Sequence, residues 1–285
     1  MVKNRGLDLK KQALDEKPED YILGALTPRC IAPISKDEFH KYLPKGELQF
    51  GAEDFMDCAT RSPNNALEAK LNKFIEIYPF HAFTTWLTSK GYVNEFNKVE
   101  LSDRWCAVLS GTTRTGNSLV APLRAIHTYG ILPKKLLPKE EGMTWDEYHD
   151  PSKITEAMMN LGKESLTWID ITYWKTDLTA TDDIACTAGY AWPEPINNVY
   201  PASDNQPNHA FITVPQYEAF DNYEEKPGDF LKDLSSDYNL IPGYRLVMQL
   251  KKNIKEPVYQ NGNWLLDIIK NLGVFFKEIW RKLRS

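Results

Sequence analysis

The hydrophobic pattern changes period partway along the chain. In the first part apolar residues recur at helical spacing, most clearly after Ser62-Pro63, where a capping hydroxyl precedes a proline suited to the first helical position. Ala66, Leu67, Leu71, Phe74 and Ile75 then follow on one face. SLVAPLRAIHTYG, closing at Gly130, and DPSKITEAMMNLGKESL read the same way. Later the signal turns to short runs rich in β-branched and aromatic residues, bounded by Pro, Gly or Asn: DIACTAGYAW, HAFITVPQY and YRLVMQL. Helices first and strands last predict an α+β fold. No internal repeat with a period of roughly 20 to 50 residues interrupts it.

A chain of 285 residues buries a core without disulfides or metal. Cys30, Cys58, Cys106 and Cys186 are scattered, with no C-x-x-C pair, which argues against a zinc ribbon or a disulfide framework and fits a reducing compartment. A net charge of -5 gives no broad basic face, so nucleic acid is not an expected partner. No cofactor is expected either. SGTTRTGNS lacks the Lys-Ser/Thr ending of a phosphate loop, the paired acids in EDFMD, TDD and YEE show no metal spacing with histidine, and neither H-E-x-x-H nor G-x-S-x-G occurs.

Residues 1–20 are mostly charged or polar and read as an arm that is loose or lies along the body. No apolar run there could serve as a signal peptide. Residues 21–256 read as one domain. Residues 257–285 differ: Trp264, Leu265, Ile268, Ile269, Leu272, Phe275, Phe276, Ile279, Trp280 and Leu283 recur at helical spacing opposite Lys270, Lys277, Arg281, Lys282 and Arg284. This tail is too polar to span a bilayer. It suits an amphipathic helix that packs on the body, on a protein partner or on a membrane surface, through residues 262–285.

Cys30, Cys106 and Cys186 sit among apolar neighbours and read as core. Cys58 stands just ahead of a helix whose N-terminal dipole favours a thiolate, the form in which sulfur is nucleophilic. A thiolate needs a base nearby. His40, His81 and His149 lie in polar or loop-like stretches and His127 falls inside a helix, whereas His209 opens the strand NHAFITV and can project into a cleft on a rigid support. Asp221 or Asn222, in the turn after that strand, could accept the second N–H of the ring, or simply form the turn. Gln49, in GELQFGAEDF, could aim its amide at an oxyanion beside the sulfur.

DCATRSPNNALEAKL resembles the segment of the papain-like cysteine peptidases in which the nucleophilic cysteine opens the central helix and a Leu-Glu pair follows, here Leu67 and Glu68. SGTTRTGNSLVAPLRAIHTYGILPKKLLP looks like that family's glycine-bearing cleft wall, the helix after it and its Gly-Leu-x-Pro segment. NHAFITV is similar to its Asn/Asp-His-Ala strand, and FDNY with PGYRLVMQL to its Asn-Ser-Trp turn and closing strand. The resemblance implies a two-lobed fold, a helical lobe facing an antiparallel sheet lobe. It implies Cys58 as nucleophile, His209 as base and acid, Asp221 as orienting residue in place of asparagine, and Gln49 as oxyanion donor. Departures are plain: Gln49 lies nine residues before Cys58, Phe55 replaces a half-cystine, Ala59 a tryptophan after the nucleophile, and Tyr223 the tryptophan that shields the histidine. With no long inhibitory leader expected, these point to a cytoplasmic or virion-associated branch.

Two functions follow as expectations. One is a cysteine peptidase that cuts a peptide or protein substrate through an acyl-enzyme. The other is a weak or inactive binding or structural module of the same fold, docked to a membrane or an assembly by its tail.

Overall fold

The structure, a computed structural model, describes residues 6–17, 30–176, 178, 183–214, 218–223 and 230–251. The tail expected to form an amphipathic helix lies outside the described residues. Helices dominate the first part: α1 (Leu9–Asp15), α2 (Phe39–Tyr42), α3 (Cys58–Ile77), α4 (Ala82–Lys90), α5 (Asp103–Leu109), α6 (Val120–Tyr129), α7 (Trp145–Tyr148) and α8 (Glu156–Trp168). Strands follow: β1 (Ile169–Thr176), β2 (Ala185–Gly189), β3 (Val199–Tyr200), β4 (His209–Val214), β5 (Glu218–Phe220), β6 (Leu231–Leu234) and β7 (Gly243–Leu250). They form one sheet in the order β1-β7-β2-β4-β5-β6-β3, antiparallel except where β3 meets β6. The α+β expectation holds. Among the described residues no helix is long and apolar enough to cross a membrane.

The central helix starts a turn earlier than its sequence suggests. Pro63 sits inside α3 rather than at its first position, where it withholds one N–H from the ladder. The start is anchored ahead of it instead: the Asp57 carbonyl accepts from the amides of Thr60 and Arg61, and Arg61 Nε donates to both Asp57 carboxylate oxygens at 2.9 Å. Every residue from Cys58 to Asn72 is buried, so α3 has no solvent face over that length and its polar side chains must be satisfied from within. Arg61 also pairs with Asp103, Lys70 with Asp183, Glu68 accepts from the Leu101 amide, and Asn72 accepts from the Val99 amide. Ser62 Oγ donates to the Phe211 carbonyl at 2.9 Å, tying the helix to β4.

The second predicted helix is α6, closed at Gly130, and the third is α8, capped by Thr155 after a 3-10 turn over Pro151–Lys153. Strand β1 was not foreseen. It leaves α8 without a loop, so the helical pattern ran into it unpunctuated. β3, β5 and β6 are too short to carry a period.

Candidate active site

Three elements converge. α3 brings Cys58 at its first residue, β4 brings His209 at its first residue, and the chain leaving β5 brings Asp221. Because β4 lies beside the head of α3, the amide of Ala210 donates to Cys58 Sγ at 3.3 Å, which places the sulfur against the residue next to His209. His209 Nε2 lies 3.0 Å from Asp221 Oδ2, and that oxygen also accepts from Trp192 Nε1 at 2.8 Å. His209 Nδ1 is buried without a hydrogen-bond partner among the described residues. With Nε2 held by the carboxylate, Nδ1 is the nitrogen open to a reacting group.

Asp221, rather than Asn222, meets the ring. Asn222 turns away: its side chain accepts from Asn65 Nδ2 at 2.8 Å and donates to the Glu47 carbonyl at 2.7 Å. Tyr223 stands edge-on to His209, with ring centroids 4.8 Å apart, and Trp192 also approaches edge-on at 5.8 Å. The imidazole therefore meets one edge-on ring from the expected position and one from the loop after β2, with Phe211 of its own strand tilted against it at 6.1 Å. Gln49 is buried, but its Nε2 donates to Asp54 Oδ1 at 2.8 Å. Asp54 also accepts from the Met56 amide and the Tyr223 hydroxyl. The amide expected to face an oxyanion thus faces a carboxylate.

The other histidines have structural partners. His40 pairs with Glu218, His81 Nδ1 caps α4 by accepting from the Phe83 amide, and His127 Nδ1 lies 2.7 Å from the Ile171 carbonyl. His149 stacks on Trp145. Cys30, Cys106 and Cys186 are buried, as expected of core residues.

Residues 6–17 lie along the body, and their first residues pass close to Cys58. Leu7 bridges Asn117 in parallel: the Asp8 amide donates to the Asn117 carbonyl and the Asn117 amide to the Gly6 carbonyl, both at 2.9 Å. Gly6 has φ of 103°, and a Cβ there would stand 2.6 Å from the Met56 carbonyl carbon and 3.1 Å from Cys58 Sγ. Leu7 itself is buried in the main core. Polar contacts hold α1 behind it: Gln12 Oε1 accepts from the Leu119 amide at 2.6 Å, Lys11 Nζ donates to Asn117 Oδ1 at 2.7 Å, and Glu16 pairs with Lys175 at 2.9 Å.

Burial changes the sulfur's electrostatics. The dipole at the head of α3 favours a thiolate, but burial pushes the Cys58 thiol well above its ordinary range. The Ala210 amide lowers it, and the Asp54 and Asp57 carboxylates raise it further. At the sulfur, burial thus favours the thiol over the thiolate.

Trp192, Asp54 and the Gly6–Leu7 segment were not found from sequence. Trp192 ends a predicted strand segment, but nothing in its spacing ties it to Asp221. Gly6 carries no motif, and only its approach to Met56 and Cys58 marks it.

No protein-family model and no curated protein matches this chain. Solved structures similar to it include xylellain, a cysteine protease from Xylella fastidiosa, at 14% identity and a TM-score of 0.42, covering 81% of this chain and 96% of that one. The proform of the ragweed pollen cysteine protease Amb a 11 aligns at 12% identity and a TM-score of 0.47, covering 92% and 72%. Digestive procathepsin L 3 of Tenebrio molitor aligns at 12% and 0.44, covering 82% and 71%. Likeness at this level leaves the chemistry to be argued from the residues around Cys58.

Proposed function

We propose that this chain is a cysteine peptidase of papain-like fold that cleaves peptide bonds through an acyl-enzyme on Cys58, and that residues 6–8 keep it closed in the arrangement described. The observation that carries the reading is the setting of His209: Nε2 held by Asp221, Nδ1 unpartnered, and the next residue's amide on Cys58 Sγ. His209 Nδ1 takes the thiol proton, the thiolate adds to the substrate carbonyl carbon, and the imidazolium returns the proton to the departing amine. Water, deprotonated by the same nitrogen, then releases the acyl group. Asp221 fixes the tautomer and stabilises the imidazolium. Catalysis requires residues 6–8 to move off Cys58 and Gln49 to leave Asp54 if its amide is to meet the oxyanion.

The test is alkylation of the full chain with iodoacetamide or an epoxide thiol reagent, followed by peptide mapping, alongside hydrolysis of an unfolded protein substrate. Labelling centred on Cys58, reduced in His209→Ala, and hydrolysis abolished in Cys58→Ala are expected. Labelling that spares Cys58 and marks another cysteine, in the unmodified chain and also in Gly6→Ala, where the added Cβ disfavours the closed segment, overturns the reading.

The burial of the thiol and the commitment of Gln49 to Asp54 favour a second reading, a binding module of the same fold docked by its tail. It requires function to survive Cys58→Ala and to vanish when residues 262–285 are deleted.

A further inference from the structure

Strand β6 alternates exposed and buried residues, with Leu231 and Asp233 outward and Lys232 and Leu234 inward. A lysine therefore occupies a core position and is 1% exposed. An ammonium is tolerated there only against a fixed counter-charge. The counter-charge is the carboxylate that holds the imidazole: Lys232 Nζ lies 3.9 Å from Asp221 Oδ1, donates to the Tyr223 carbonyl at 3.2 Å and stands 5.9 Å from the centre of the Trp192 ring. The backbone sets this meeting. Lys232 pairs with Ala219 across β5 and β6, and the Asp221 amide donates to the Phe230 carbonyl at 3.0 Å.

The two oxygens of Asp221 are divided between tasks. Oδ2 accepts from both His209 and Trp192, while Oδ1 accepts no hydrogen bond among the described residues and faces the ammonium. We propose that Lys232 is a positioning residue for His209: it balances Asp221 from the far side, so that the imidazole is oriented by a neutral acid–lysine pair. This role rests on the peptidase reading for its purpose, but its geometry stands without it. Among the described residues, the charged and titratable groups next to the imidazole and its carboxylate are Lys232 from β6, Cys58 at the head of α3, whose sulfur accepts from the Ala210 amide, and Tyr223 with Asp54 behind its hydroxyl. Of these, Lys232 is the cation.

The role separates from simple packing in the titration of the His209 ring, followed by NMR of full-length chain with ring-labelled histidine. The signal is assigned by its loss in His209→Gln. Lys232→Met removes a positive neighbour and moves the ring's midpoint up by about one pH unit or more, whereas Asp221→Asn leaves the ammonium facing an amide and moves it down by a similar amount. The double variant restores a neutral pair and brings the midpoint back near that of the unmodified chain. An unmoved midpoint in folded Lys232→Met overturns the proposal. If Lys232→Met fails to fold, Asp221→Asn in the same chain must rescue folding, because it removes the stranded buried charge; equal collapse of the single and double variants overturns it too. The signal is read on the His209 ring and not on peptide hydrolysis, so failure here is distinct from failure of Cys58 alkylation.

Discussion

Gly6→Ala should uncover Cys58 while leaving the rest of the fold intact. Gly6 has φ of 103°, and its added Cβ would stand 2.6 Å from the backbone carbonyl carbon of Met56, which cannot swing aside as a flexible side chain would. A non-glycine residue held in such a backbone region costs about 1–3 kcal/mol before any clash is counted. The segment can relieve that cost by lifting off, since α1 remains anchored through Gln12, Lys11 and Glu16. Taking about 2 kcal/mol, with each 1.4 kcal/mol worth tenfold, the open fraction rises about 30-fold. Where opening is rapid and rare, alkylation of Cys58 accelerates by the same factor. The assay is the rate of carbamidomethylation at Cys58, read by peptide mapping, with a thermal melt to report the global fold. Gly142→Ala is the control, since Gly142 has φ of 73° but nothing within 4 Å of its would-be Cβ. An unchanged Cys58 rate in Gly6→Ala, with an unchanged melt, refutes the idea that this segment covers the thiol.

Three further outcomes follow from buried groups. Lys70→Met removes one of two cations from Asp183, which pairs with Lys70 at 2.6 Å and keeps Arg245 Nε at 2.9 Å and the Ile34 amide, and should cost about 1–3 kcal/mol in denaturant unfolding. His149 is pushed down to about 4 chiefly by burial, its Nε2 unpartnered among the described residues. The unfolded chain then binds the extra proton between roughly pH 6.5 and 4, so this group's contribution is fully present above pH 6.5 and is lost as pH falls toward 4, totalling about 3 kcal/mol. His149→Gln should flatten that part of the stability–pH curve. Burial pushes the Glu68 carboxyl well up, and its Oε1 accepts from the Leu101 amide at 2.6 Å. Glu68→Gln should therefore cost less than about 1 kcal/mol, while Glu68→Ala leaves that amide unsatisfied and costs about 1–3 kcal/mol.

The order of helices and strands was legible because long amphipathic segments and β-branched runs report their own periodicity. His209 was legible for the same reason: a histidine at the start of an apolar strand has a rigid support. The start of α3 was not, because Ser62-Pro63 is a strong local signal and the Asp57–Arg61 contact that overrides it becomes visible only when the helix is formed. The choice between Asp221 and Asn222 depends on which way the chain faces on leaving β5, and adjacent residues there point to opposite sides. Lys232 meets Asp221 through pairing of β5 with β6, a register that neither short strand encodes alone. Gln49 was assigned its role without Asp54, whose carboxylate claims the same amide.

The enclosure of α3 governs how its chemistry can be altered. A rod gripped on every side from Cys58 to Asn72 offers no position where a residue can be exchanged without neighbours on another element answering. The sulfur is held by the whole interior, whereas the ring at the start of β4 depends on a few contacts from the chain around β5 and β6 and from the loop after β2. Retuning of this cleft will therefore enter through Trp192, Asp221, Tyr223 and Lys232, while the helix that presents the thiol stays fixed.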